Sequence, residues 1–236
     1  MSRFSNKVVV VAGGTGGLGR AVSLAFLAQG ALVVTPWFKA AEFDALKSAA
    51  KGAALEGQEL DVTSETAVTQ FVAGLVASHG RIDALVNTVG GYAGGTKLWE
   101  TDGRTLEQML ALNLRAGFVL TRAVAPAMVK QAHGAIVNIA AKAALEPAAG
   151  GGAYAASKAA ALAMLESLAA DLRGTGVRAN TVLPSIIDTE ANRKAMPDAD
   201  YAKWPKPEDI ARVILFLCSD EARVIHGAAI PVYGNA

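Results

Sequence analysis

Val8 to Ala12 is a run of five apolar residues that stops at Gly13-Gly-Thr-Gly-Gly-Leu-Gly19 and passes at once into a helical pattern. No other feature restricts the fold of this chain so tightly. A strand that turns through glycine directly into a helix opens a βαβ unit, and the spacing Gly13-x-x-x-Gly17-x-Gly19 gives each glycine a task. Gly13 allows the tight turn, Gly17 lets the backbone approach a pyrophosphate, and Gly19 permits close helix–strand packing. Leu18 lies in the same turn. The helix that follows offers unpaired N–H groups and the positive end of its dipole to an anion.

The rest of the chain repeats the alternation. Strands are predicted over Lys7 to Ala12, Ala31 to Thr35, Ala54 to Leu60, Ile82 to Val86, Ala135 to Ile139, Val177 to Leu183 and Ala229 to Val232. Helices are predicted near 17–29, 40–50, 64–79, 103–131, 152–173 and 207–219. Several strands are almost wholly apolar, as a parallel sheet covered by helices on both faces requires. The predicted fold class is therefore α/β, a doubly wound parallel sheet of about seven strands. The 236 residues fit one domain, and 52% hydrophobic against 18% charged residues exclude a disordered chain. Residues 184–207 contain four prolines and little periodicity, which points to a loop acting as a substrate lid.

Further motifs fall at the carboxyl ends of strands, where open α/β sheets bind ligands. Asp61-Val62 follows the third strand, where a carboxylate and a backbone N–H can read an adenine edge; Asp61 as the start of the next helix is the equal alternative. Asn87-Thr-Val-Gly-Gly91 ends the fourth strand, and Gly90 and Gly91 would let a cofactor lie against backbone. In Tyr154-Ala-Ala-Ser-Lys158, residues i and i+4 share a helix face. An ammonium beside a phenol lowers the phenol's pKa from its usual value near 10 and makes it a proton shuttle. His79, His133 and His226 are scattered without ligand spacing, so no metal site is expected, and the single Cys218 excludes an intrachain disulfide.

Taken together, Gly13-x-x-x-Gly17-x-Gly19, Asp61-Val62, Asn87-Thr-Val-Gly90, Asn113 in Ala-Leu-Asn-Leu, Tyr154-x-x-x-Lys158 and Leu183-Pro-Ser-Ile-Ile-Asp-Thr189 resemble the short-chain dehydrogenase/reductase family over essentially the whole chain. The resemblance implies Tyr154 as general acid/base, Lys158 as the residue that orients ribose, and Asn113 as support for a proton relay. It also places Ile187 and Thr189 at the nicotinamide carboxamide. One departure stands out: the family usually carries a Ser thirteen positions before the Tyr, and here that position is Ala141. The segments Gly90-Gly-Tyr-Ala-Gly-Gly95, Ala141-Lys-Ala-Ala-Leu145 and Leu183 to Asp200, with Trp204, look like the dihydropteridine reductase branch, which also lacks the Ser. That likeness implies a quinonoid dihydropterin, a flat conjugated substrate that Tyr92 and Trp204 would flank. Asn113 fits the wider family better than this branch. A broader carbonyl or quinone reductase, or a non-catalytic dinucleotide sensor, are the other readings.

The implied cofactor is NAD(P). No acidic residue follows the second strand until Glu42; Trp37 or a neighbour holds the position where an acid would bind the adenosine ribose, and Lys39 could meet a 2′-phosphate, which tilts the expectation towards NADP. A net charge of +1 gives no reason to expect nucleic acid or an anionic membrane as partner. The apolar run at Val8 is too short for a leader or a span, so a cytoplasmic protein is expected. Apolar residues on several faces of the 103–131 and 152–173 helices, including Leu106, Leu110, Leu114 and Leu165, point to a homodimer or homotetramer.

Overall fold

The computed structural model describes residues 2–235. Among them a single parallel sheet of seven strands has the order β3-β2-β1-β4-β5-β6-β7. The strands are β1 (Val8–Ala12), β2 (Leu32–Trp37), β3 (Leu55–Glu59), β4 (Ala84–Asn87), β5 (Gly134–Ile139), β6 (Val177–Pro184) and β7 (Ala229–Val232). Every predicted strand is present, shifted by no more than two residues at either end. β1, β4 and β5 are buried along their whole length. This explains why their sequences read as unbroken apolar runs rather than as alternations.

Helices cover both faces. On one, α1 (Gly17–Ala28) and α8 (Pro207–Cys218) pack together through Val22, Phe26, Ile210 and Ile214. On the other, α3 (Glu65–His79), α5 (Ala116–Lys130) and α6 (Gly152–Asp171) bury Phe71, Leu120, Met128 and Leu165. α2 (Ala40–Ala49) crosses from β2 to β3, and α4 (Gly103–Leu110) leads into α5. None of the helices among the described residues is long and apolar enough to cross a membrane.

Strand order reverses between β1 and β4, which pair in register from Val9–Ala84 to Ala12–Asn87. The connections leave the sheet in opposite directions on either side of this pair, so a cleft opens beyond their carboxyl ends. The glycine turn after β1 and the Asn87–Gly91 loop after β4 form its floor.

Two segments differ from the sequence prediction. The helix predicted over 103–131 is interrupted by a π-helical turn at Ala111–Arg115, a wide turn that leaves chain direction unchanged and is invisible to hydrophobic periodicity. The 184–207 segment contains a short helix, α7 (Glu190–Ala195), capped by the Thr189 hydroxyl, and a 3₁₀ turn at Tyr201–Lys203. Asp188 N–H donates to Pro205 O (3.0 Å), joining the two ends of this segment to each other, and Ser185 Oγ donates to Tyr233 O (2.7 Å), which ties its start to the chain after β7.

Candidate active site

The glycine turn is built so that side chains could not enter it. Gly13 has φ +74°, and a Cβ there would lie 2.8 Å from Thr88 Oγ1. At Gly19 a Cβ would lie 2.0 Å from the Gly13 carbonyl oxygen, so α1 approaches the turn at backbone distance. Leu18 anchors the first helical turn in the core. A Cβ at Gly17 would lie 2.9 Å from Thr189 Cγ2, which puts Thr189 of the 184–207 segment against the turn. Thr189 also caps α7, and the Ile187 carbonyl accepts hydrogen bonds from Asn192 Nδ2 (2.8 Å) and Thr189 N–H (2.8 Å). Gly17, Ile187 and Thr189 therefore meet at one wall of the cleft.

Asp61 and Val62 lie beyond β3 on the β2–β3 side. Asp61 Oδ1 accepts from Thr63 N–H (2.8 Å) and Thr63 Oγ1 (2.7 Å), bonds that hold its carboxyl below the usual range. The cap of α3 is Ser64, so Asp61 is not the residue that starts that helix. Asn87 is buried, with Nδ2 donating to Asn138 Oδ1 (2.8 Å) and Oδ1 accepting from Val89 N–H (3.2 Å). It ties the ends of β4 and β5 together and bends the loop that carries Gly90.

On the far side of that loop a second set of groups converges. The π turn presents Asn113, 2% exposed, inward. Its Nδ2 donates to Gly91 O and to Ser157 Oγ, both at 3.0 Å, and its Oδ1 accepts from Gly91 N–H at 3.0 Å. Ser157 Oγ in turn donates to Tyr154 O (2.7 Å). Asn113 thus clamps the Gly90–Gly91 loop to α6, the helix that carries Tyr154 and Lys158. Ser157 did not figure among the predicted site residues, although its i+3 spacing from Tyr154 was available as a signal. Gly90 rests against this cluster: a Cβ there would lie 2.8 Å from Asn113 Oδ1 and 3.0 Å from Lys158 Nζ.

Lys158 is buried, and its Nζ donates to Ile139 O at the end of β5 (3.0 Å). Burial pulls its pKa down to about 8. Its ammonium stands 6.0 Å from the centre of the Tyr154 ring. The Tyr154 phenol is pushed up to about 12, first by burial and then by the neighbouring Tyr92 phenol. The expected lowering of the phenol by Lys158 is not found in this arrangement, where burial and the neighbouring Tyr92 phenol both disfavour the phenolate. A phenol that keeps its proton across the neutral range is a proton donor, the role an acid needs when a substrate gains electrons.

Tyr92 meets Tyr154 edge to face, with centroids 5.0 Å apart, and is 68% exposed. Ala141 is buried with extended backbone directly after β5. Trp204, within the 184–207 segment, is buried with its ring 5.0 Å from that of Tyr201, so it packs the segment's own 3₁₀ turn and does not line an open surface. Cys218 lies at the opposite end of α8's helix pair, its thiol pushed up to about 12 by burial.

A family profile described as short chain dehydrogenase matches residues 7–200. The chain belongs to the short-chain dehydrogenase/reductase family. It is 32% identical to the 3-oxoacyl-(acyl-carrier-protein) reductase FabG of Thermotoga maritima, over 99% of this chain and 98% of that one. It is 34% identical to the meso-2,3-butanediol dehydrogenase of Serratia marcescens, over 99% and 96%. A short-chain dehydrogenase/reductase structure from Burkholderia xenovorans superposes with a TM-score of 0.93 at 33% identity, over 99% of this chain and 97% of that one. The protein is thus an NAD(P)-dependent oxidoreductase. The glycine cradle that a Cβ would fill at Gly13, Gly17 and Gly90 fits such a dinucleotide. Bound there, the dinucleotide supplies or accepts a hydride at its nicotinamide.

Proposed function

We propose that this short-chain dehydrogenase/reductase reduces a planar conjugated acceptor, with a quinonoid dihydropterin as the first candidate. The observation that carries this reading is Ala141. A hydroxyl at that position would polarise a substrate carbonyl, and losing such a donor costs about 3 kcal/mol in transition-state stabilisation. A conjugated ring spreads the incoming electron pair over several atoms and needs the donor less. The exposed Tyr92 ring, set edge-on to Tyr154, gives a flat substrate an aromatic wall.

In this reading each residue has a distinct task. Gly13, Gly17, Leu18 and Gly19 receive the pyrophosphate at the start of α1, Asp61 and Val62 border the adenine, and Asn87 and Gly90 shape the floor near the nicotinamide. Ile187 and Thr189 close over the carboxamide. Lys158, fixed by the Ile139 carbonyl, holds ribose hydroxyls, and Tyr154 donates its proton to the substrate atom that gains electrons. Asn113 keeps the Gly91 loop and α6 in register.

A second reading, ordinary carbonyl reduction, is favoured by the butanediol dehydrogenase and FabG relatives, whose names specify alcohol and ketone chemistry. A substrate panel separates the two. Efficient turnover of quinonoid dihydropterin with poor turnover of simple ketones is expected, and the reverse pattern removes the first reading. Ala141→Ser should raise kcat/KM for simple ketones by about 10- to 100-fold. No gain would mean that the missing hydroxyl does not limit the reaction.

Cofactor preference turns on a charge pair at the start of α2. Lys39, the candidate for a 2′-phosphate, has its Nζ 3.0 Å from Glu42 Oε1, while Glu42 Oε2 accepts from Thr15 Oγ1 in the glycine turn (3.2 Å). Glu42 therefore offsets Lys39 beside the turn and supplies the carboxylate that β2 lacks. Glu42→Ala should shift the NADPH-over-NADH ratio of kcat/KM upwards by about tenfold, on the scale of one exposed charge contact. An unchanged ratio would separate the pair from cofactor choice.

The homo-oligomer reading rests on an apolar groove along α4–α6, lined by Leu110, Leu114, Phe118 and Met164 with Glu107 and Arg115 at its rim. Phe118 in the groove and Leu106 on α4 are exposed. Light scattering should give two or four times the 24.2 kDa chain mass.

A further inference from the structure

We propose that a hollow at the amino-terminal edge of the sheet binds a small phosphate-bearing anion, at a site separate from the catalytic cleft. The hollow has a volume of about 330 Å³ and opens between the starts of β5 and β6, the turn after α6 and the segment after α8. Lys158 contacts the other end of β5, at Ile139. A six-residue strand separates the two ends by roughly 17 Å. The hollow therefore belongs neither to the glycine turn nor to the substrate region.

Its charge is unusual for this chain. Of the eleven arginines in the sequence, Arg3, Arg81, Arg104, Arg115, Arg122, Arg193 and Arg212 form ion pairs with carboxylates. Arg20, Arg173, Arg178 and Arg223 do not among the described residues, and the last three all line this one hollow. Asp220 is the carboxylate in its lining. The two histidines there are engaged with other groups of the protein. His226 Nδ1 accepts the Ala179 N–H (3.2 Å), so its proton is on Nε2, which donates to Ala169 O (2.7 Å). His133 Nε2 faces the buried Asp83 carboxylate at 3.6 Å.

Arg178 is the fixed element. Its guanidinium donates to Ser219 O (3.0 Å) and Ile225 O (3.4 Å), and burial disfavours its charge, a cost that an anion in the hollow would relieve. Arg173 and Arg223 are exposed and line the same hollow, one in the turn after α6 and one in the segment after α8. Guanidinium forks match the oxygen geometry of phosphate, and three arginines lining one concave space favour a compact multivalent anion over a flat polyanionic surface. Gly174 (φ +77°) and Gly176 (φ +81°) form part of the lining without side chains.

The test is calorimetric titration of the full chain with inorganic pyrophosphate, the catalytic cleft being saturated with NAD or NADP. Wild type is expected to bind one pyrophosphate per chain, and the Arg173→Ala/Arg223→Ala double variant to bind it at least tenfold more weakly. Both side chains are exposed, so the variant keeps its fold, and its dinucleotide affinity should match wild type. The single Arg223→Glu variant should weaken pyrophosphate binding as well, again without altering dinucleotide affinity. Equal pyrophosphate affinity in wild type and variants would overturn the proposal. Citrate binding as tightly as pyrophosphate would overturn the assignment to phosphate.

Discussion

Tyr154→Phe is expected to lower kcat by about 10²- to 10⁴-fold while leaving dinucleotide affinity within a factor of about three. The range is that of a positioned general acid. The substitution removes one hydroxyl from a ring whose packing against Tyr92 is otherwise kept, so the site loses a proton donor and little else. The phenol is held up to about 12 by burial, and its neutral form is already the resting form. Phenylalanine therefore introduces no change of charge at neutral pH, and the melting temperature should move by no more than about 2 °C. Steady-state kinetics, a fluorescence titration with the reduced dinucleotide and a thermal melt together read the three quantities. Activity within tenfold of wild type would take Tyr154 out of the proton-transfer step.

Lys158→Met should have two effects of opposite sign. Turnover should fall by at least about 10²-fold, because the ammonium beside Tyr154, to which the proposed function gives the ribose hydroxyls, is gone. Stability at neutral pH should rise. Burial draws the Lys158 pKa from 10.5 to about 8, which corresponds to a burial penalty on the order of 3 kcal/mol for the charged form. Methionine fills similar volume without charge but leaves the Ile139 carbonyl without its donor, which returns about 1–2 kcal/mol of that gain. A net rise in melting temperature of about 2–6 °C follows for a chain of this size. The pH dependence supplies a separate check. Between about pH 8 and 10.5 the unfolded chain keeps the Lys158 proton while the folded chain has shed it, so wild-type stability climbs with pH in that window relative to Lys158→Met. Denaturant melts at pH 7 and pH 10 measure this. A variant less stable than wild type at both pH values would show that the lysine's hydrogen bond outweighs its desolvation.

The strands and their order of appearance were legible because both faces of the sheet are covered. Val8–Ala12 and Gly134–Ile139 are buried throughout, and burial on both faces writes itself into sequence as an unbroken apolar run. The glycine turn was equally legible, since Gly13 and Gly19 occupy places where a side chain meets backbone. The balance of effects at Tyr154 was not. Spacing puts Lys158 on the same helix face, but the surroundings that decide the direction of the phenol's shift include the loop carrying Tyr92, which is remote in the chain. The Thr15–Glu42 contact was hidden for the same reason, as it joins the glycine turn to α2 across β2. The helix at Glu190–Ala195 is too short to show any periodicity, and its cap at Thr189 is the one local sign of it.

The wide turn at Ala111–Arg115 makes the site depend on a count of residues as well as on their identities. A π turn holds one residue more than an α turn, and that surplus residue sets the direction in which Asn113 faces. Deleting one residue from this stretch would let the helix close to regular geometry and swing everything before it by about 100°. Composition, hydropathy and the Tyr-Lys pair would all survive such a deletion. The clamp between Gly91 and Ser157 would not, so a length change of one in this helix is a larger event for the enzyme than most substitutions along it.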